Sequence, residues 1–262
     1  MPDLPDVLCL SVSSHLKGFD RPLIQLLSQQ TNIAERDYHQ FFDQPSSLEM
    51  ALGSLHHTLK LRCSPIHLVG HGISGLLGLL YAQRYPEQVS SLTLLSVGIY
   101  ATQDWQHRYY THRQALGCDL QTILKHLVHD LFGLGSTDIN QALIKILEQD
   151  LEDSLSPHSL FQQMNLLPIR STVPLLVCGS IDDVIVNAHY LRSWQQYFWV
   201  EDECCDAYKG ALCANRLWIC SGGRHFFHYF YAQETAEQIL DFWATLPNFK
   251  QQSVSETLVL SA

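Results

Sequence analysis

The strongest constraint on this chain is an alternation of short apolar runs with segments of helical spacing. The runs Val7-Leu8-Cys9-Leu10-Ser11-Val12, Pro65–Gly70, Ser91–Val97, Val173–Gly179 and Arg216–Cys220 read as strands, and a weaker strand lies within Ile33–Phe42. Helical patterns stand between them. Asp20 opens a helix to about Gln30, with Pro22 in a first turn that needs no N–H. Ser46 and Glu49 form a capping box for a helix to about Lys60. Leu76, Leu77, Leu79, Leu80 and Tyr81 pattern a buried helix that must stop before Pro86. A last helix spans Glu234 to Ala244. Such an alternation predicts an α/β domain with a mostly parallel sheet of about six strands and helices on both faces. Strands covered on both faces read as continuous apolar runs. The composition agrees: 46% of residues are hydrophobic and only 16% charged, against about 25% charged in an average soluble protein.

The alternation breaks once. From 103 to 170 there are helical patterns and no strand, with Val128, Leu131 and Phe132 followed by Leu143, Ile144, Ile146 and Leu147. Residues 1–102 and 171–262 therefore read as one core, 103–170 as a helical lid inserted in it, and 247–262 as a polar tail expected to fray.

Charge and cysteine usage exclude some functions. Sixteen Lys and Arg against 26 Asp and Glu give 16 − 26 = −10, which argues against a nucleic-acid partner. Met1–Asp6 has neither the basic nor the apolar region of a signal peptide, and no run reaches the ~18 apolar residues of a membrane span. The expectation is a cytoplasmic protein with reduced cysteines. Cys9, Cys63, Cys118, Cys178 and Cys220 read as small buried hydrophobes. The acidic 200–214 segment, with Cys204, Cys205 and Cys213, lacks metal-ligand spacing and reads as a surface insertion of unassigned role. No metal and no cofactor are expected.

Four features then fall in order: the turn Gly70-His71-Gly72-Ile73-Ser74-Gly75 between a strand and a buried helix; the helical insertion; a strand ending in Gly179-Ser180-Ile181-Asp182-Asp183; and a last strand leading to Gly222-Gly223-Arg224-His225. Over nearly its whole length the chain resembles the α/β-hydrolase superfamily, most closely the small single-domain members that lack the first two strands of the full sheet. The resemblance implies a nucleophile elbow, a lid, an acid and a histidine in that chain order. It assigns Asp182 as the acid and His225 as the base, with His228 at a position the family often fills with His without using it as the base.

The elbow departs from the family's Gly-x-Ser-x-Gly. Gly72 stands at the nucleophile and Ser74 at the second Gly. The flanks fix this register, since the helix after a family elbow runs to a Tyr-Pro about fourteen residues past the nucleophile, and Pro86 lies 14 beyond Gly72. Ser74 is the substitute candidate, but helical periodicity turns its hydroxyl about 200° away from position 72. Backbone N–H groups of Ser13 or Ser14 and of Ile73 could form an oxyanion hole. Ser13, Ser14, His15, His71 and His228 are candidate pocket residues, and Trp105, Tyr109, Tyr110 and Phe132 candidate lid aromatics. A small apolar or acyl-type molecule is the implied ligand; any protein partner is left unassigned.

Three functions fit. The chain resembles serine esterases and acyl hydrolases, yet a glycine cannot attack a carbonyl, which closes the ordinary acyl-enzyme route. It could instead be a non-catalytic ligand- or partner-binding pseudo-hydrolase. It could also keep its acid–histidine pair as a base with no covalent step.

Overall fold

The computed structural model describes residues 5–39, 47–100, 103–155, 173–198 and 215–247. Six strands, β1 (Val7–Ser11), β2 (Ile33–Asp37), β3 (Ile66–His71), β4 (Val89–Leu95), β5 (Leu175–Ser180) and β6 (Arg216–Cys220), form one sheet in the order β2-β1-β3-β4-β5-β6. Every pairing is parallel. The apolar runs are strands because helices cover both faces: every residue of β1 and β5 is buried. One core layer packs α2 (Leu48–Leu59) and α3 (Gly72–Arg84) on the sheet through Leu52, Leu55, Leu77 and Tyr81. The other packs α1 (Arg21–Leu27) and a C-terminal helix on the opposite face through Leu23, Leu27, Phe242 and Trp243. Cys9, Cys178 and Cys220 fill this second layer, whereas Cys63 and Cys118 are exposed and are not the core filler expected of them.

Among the described residues, three helices stand between β4 and β5: α4 (Trp105–Leu116), α5 (Leu120–Phe132) and α6 (Thr137–Asp153). Asp104, Asp119 and Ser136 cap them with side-chain oxygens. Two short helices, α7 (Ala188–Ser193) and α8 (Gln195–Phe198), follow β5; α9 (Phe227–Phe230) and α10 (Ala232–Ala244) follow β6. Among the described residues no helix is long and apolar enough to cross a membrane.

One expected cap differs: Asp20 precedes α1 but its side chain does not cap it, being taken by His228. The Glu49 carboxylate binds Arg84 in a two-pronged pair at 2.7 and 2.8 Å; its expected capping-box partner Ser46 lies outside the described residues, as do the cysteines at 204, 205 and 213 and all but the first residue of the expected tail.

The strand order sets the site. The chain moves outward from β1 to β2, then crosses back to β3 beside β1. Connections from the C-terminal ends of β1 and β3 therefore diverge, and such a switch point opens a crevice where ligands bind in open α/β sheets.

Candidate active site

The β3–α3 turn is tight because two glycines let backbone meet backbone. A Cβ on Gly75 would lie 2.6 Å from the Gly70 carbonyl oxygen, and one on Gly70 2.6 Å from the Gly75 nitrogen. The close-approach glycine is thus Gly75, one residue beyond the place Ser74 fills in the five-residue motif. At the tip, Gly72 has φ +51°, and a Cβ there would meet nothing within 4 Å. The turn keeps its left-handed tip and open space above it, and lacks only a side chain to attack with.

A cleft enclosing about 470 Å³, open solvent included, lies over this tip, with Gly72, Ile73, Ser74, His71 and His225 among its walls. Its rim combines the end of β1 with residues of the helical insertion. The histidine stands after β6. Gly223 and Arg224, both at positive φ, turn the chain so that His225 points inward, 1% exposed.

The acid on this histidine is Asp183, not the expected Asp182. His225 Nδ1 donates to Asp183 Oδ2 at 2.9 Å, and both side chains are shielded from solvent. The other oxygen of Asp183 accepts the N–H groups of Ile185 at 2.8 Å and Val186 at 3.1 Å, so three donors surround a buried carboxylate. Asp182, one residue earlier, is exposed and faces the other way, accepting from the Ser180 hydroxyl at 2.5 Å and the Arg224 N–H at 2.8 Å. It pins the histidine loop instead of bonding the imidazole. Spacing from Gly179 could not separate the neighbours; the signal that could is the apolar pair Ile185-Val186, whose buried N–H groups need an acceptor two and three residues back.

The histidine loop is held from below. The His225 carbonyl accepts from the Ser96 hydroxyl at 2.8 Å and from His71 Nε2 at 3.0 Å. Ser96, at the end of β4, has φ +50°. Burial pushes His71 well below the ordinary histidine range, and His228 and His225 push the same way, so His71 is a neutral donor at neutral pH. His228 is fully buried and gives its Nε2 to Asp20 at 2.9 Å. Neither ring bonds the imidazole of His225.

Ser74 is buried and its hydroxyl accepts the Val12 N–H at 3.1 Å. This bond ties α3 to the end of β1 and occupies a backbone donor just beyond that strand. Of the other oxyanion and pocket candidates, Ile73 and Ser13 line the cleft, while Ser14 is exposed and does not. The Ser13 hydroxyl donates to Asp150 of α6, and His15 bonds Asp153 at 2.9 Å. The β1 loop is thus fastened to the helical insertion. Trp105 lines the cleft, Tyr109 is buried, and Tyr110 packs against the core. Phe132 stacks on Phe226 at 4.6 Å and 7°, which makes it packing beside the histidine loop.

Sequence reasoning missed Asp104 and Asp150, two buried carboxyl groups in the cleft wall. Asp150 carried a signal: it continues the Ile144, Leu147 stripe at helical spacing, a charge on an apolar face. Among the described residues no group of three His, Cys, Asp or Glu is arranged to hold a metal ion.

No family model matches the chain. It is 38% identical over 261 residues to an uncharacterized protein of Synechocystis sp., covering 100% of this chain and 98% of the relative. It is 36% identical over 243 residues to an uncharacterized protein of Nostoc sp., covering 93% and 92%. Among solved structures it is similar to an enol-lactonase from Burkholderia xenovorans LB400, with TM-score 0.64, 15% identity and 92% of each chain covered. A meta-cleavage product hydrolase from Pseudomonas fluorescens IP01, complexed with acetates, superposes with TM-score 0.65 at 12% identity over 92% of this chain and 91% of that one.

Proposed function

We propose that this chain, which has the α/β-hydrolase fold, is a member of that superfamily that has given up the serine acyl-enzyme route and keeps its histidine as a general base. In this reading His225, oriented by Asp183, takes a proton from a small molecule or from water held over Gly72. A carboxylate on Nδ1 fixes the tautomer that leaves Nε2 free to accept a proton, and stabilises the imidazolium that forms. The helical insertion acts as a lid, the ligand is a small apolar or acyl-type molecule, and the protein works in the cytoplasm without a cofactor.

The observation that carries the reading is the buried His225–Asp183 pair at 2.9 Å beneath an elbow whose tip has room and no nucleophile. Ser74 does not replace the nucleophile in this reading, because its hydroxyl is committed to the Val12 N–H. Gly72 also favours a second reading, a pocket that binds a ligand without turning it over.

A pair of substitutions separates these readings. Gly72→Ser with Ser74→Gly restores the five-residue elbow and frees the Val12 N–H. The wild type is expected to remain unlabelled by a fluorophosphonate, and the double variant to gain both labelling and p-nitrophenyl acetate hydrolysis. Labelling of the wild type that Ser74→Ala abolishes would overturn the reading. A double variant that stays inert would mean the base is not competent, leaving the binding alternative.

A further inference from the structure

Two carboxyl groups in the cleft have no part in the reading above. Asp104, 6% exposed, ends the loop after β4 and caps α4 by accepting the Gln106 N–H at 2.8 Å. Asp150, 1% exposed, comes from α6 and accepts from the Ser154 hydroxyl at 2.5 Å and from Ser13. Gln106 links the two, its Nε2 lying 3.5 Å from Asp150. No Lys or Arg pairs with either among the described residues. Helix capping explains why residue 104 is an Asp, Asn or Ser. It does not explain why a carboxyl there is buried in the cleft wall with Gly72 and His225, and also walls an adjoining recess with Gly72 and Ser96.

His225 lines the same cleft. Its ring is 1% exposed and its Nδ1 is spent on Asp183, while its Nε2 has no hydrogen bond within the described residues. Burial holds the Asp104 carboxyl up at about 6, with the neighbouring Asp150 adding to the shift and the Gln106 N–H and His225 opposing it. The cleft thus holds a base with an open ring nitrogen and an acid that keeps its proton well above the usual aspartate range. A ring nitrogen free to accept and a buried carboxyl that holds its proton, lining one cleft, can divide the roles of proton acceptor and proton donor.

We propose that Asp104 is the proton donor that completes the site, so that His225 and Asp104 together interconvert the keto and enol forms of a small neutral carbonyl compound seated over Gly72. This rests on His225 being the base. In the forward step, Nε2 takes a proton from the carbon next to the carbonyl. The C–H electron pair becomes the C=C bond, the C=O π pair moves to oxygen, and that oxygen takes the Asp104 proton. The imidazolium is left beside the Asp183 carboxylate and Asp104 is left ionised; return of both protons resets the site. No oxidant, reductant or covalent bond to the protein is involved. The compound is neutral because the cleft disfavours an anion: Asp150 and Asp20 line it, Asp104 becomes ionised in the step, and the cleft's Lys17 is paired with Asp37 at 2.5 Å.

The test is hydrogen–deuterium exchange at the α-carbon of cyclohexanone in D2O, followed by NMR with the full chain. The wild type is expected to exceed buffer, and His225→Ala to lose that excess. Asp104→Asn and Asp104→Ser both keep a capping side chain, so α4 stays formed while the donor is lost. Each is expected to lower exchange about a hundredfold. The wild-type profile falls as pH rises past about 6, where Asp104 loses its proton in the company of Asp150, Asp20, His71 and His225, and this limb vanishes in both variants. Wild-type rates and profile in both variants would overturn the proposal and leave the base reading standing. So would a wild type that eliminates 5-nitrobenzisoxazole, which needs only a base, yet does not exchange the ketone. Failure with both probes would overturn the base reading as well.

Discussion

Replacing Asp183 by Ala tests the assignment of the acid through stability, with no substrate required. Asp183 is fully buried, and three donors converge on it: His225 Nδ1 at 2.9 Å and the N–H groups of Ile185 and Val186 at 2.8 and 3.1 Å. Removing the carboxylate leaves all three without a partner where water does not reach. Each such group costs about 1–3 kcal/mol, though the costs do not add in full. Breaking one side of a buried pair costs about 3–5 kcal/mol. A loss of about 4 kcal/mol is expected, a large share of the ~5–15 kcal/mol that holds a domain together. Asp182→Ala removes two bonds on an exposed side chain, where water takes over both donors, and should cost less than about 1 kcal/mol. Urea unfolding followed by circular dichroism reads both variants against wild type. The Asp183 variant should lower the midpoint by roughly 1 M or more at an unchanged slope, and the Asp182 variant should hardly move it. A greater loss for Asp182→Ala than for Asp183→Ala would refute the assignment.

Asp104 gives a pH dependence of known sign. Its folded carboxyl sits at about 6, above the ordinary aspartate value, so the folded protein binds more protons than the unfolded chain between about pH 4 and 6, and stability falls as pH rises through that window. Asp104→Asn should remove this cost, making the variant about 2–3 kcal/mol more stable relative to wild type at pH 7 than at pH 4, read from urea midpoints at the two pH values. Gly75→Ala drives a methyl to 2.6 Å from the Gly70 carbonyl and should cost about 3 kcal/mol in thermal unfolding, with rescue by no single neighbouring side-chain change because the clash is with backbone. Ser74→Ala leaves the buried Val12 N–H without its acceptor and should cost about 1–3 kcal/mol, with hydrogen exchange at Val12 accelerated.

The central strands were legible because burial on both faces writes itself into the chain as uninterrupted apolar runs; β2, Ile33-Ala34-Glu35-Arg36-Asp37 at the sheet edge, is only partly buried and correspondingly left a weaker signal. The elbow was legible because Gly70, Gly72 and the spacing to Pro86 resemble the elbow and following helix of the α/β-hydrolase family. What could not be read was where side chains aim. Asp182 and Asp183 are adjacent acids in one turn, and only the packing of Ile185 and Val186 decides which faces the histidine. Ser74 reads as a substitute-nucleophile candidate, and its hydroxyl is instead the acceptor of the Val12 N–H, 62 residues earlier in the chain. Glu49 binds Arg84, a contact between helices that local spacing does not encode. Asp104 stood out by no pattern in the sequence, since its burial beside Gly72 and His225 depends on contacts that local spacing does not encode.

The most direct test of a histidine base working without a nucleophile is elimination of 5-nitrobenzisoxazole, in which a base removes one C–H proton and the N–O bond opens with no acyl intermediate. Rates are read for wild type, His225→Ala and Asp183→Asn at pH 7. Turnover above buffer in the wild type, lost in His225→Ala and lowered in Asp183→Asn, is the predicted result. Equal rates in wild type and His225→Ala would contradict it.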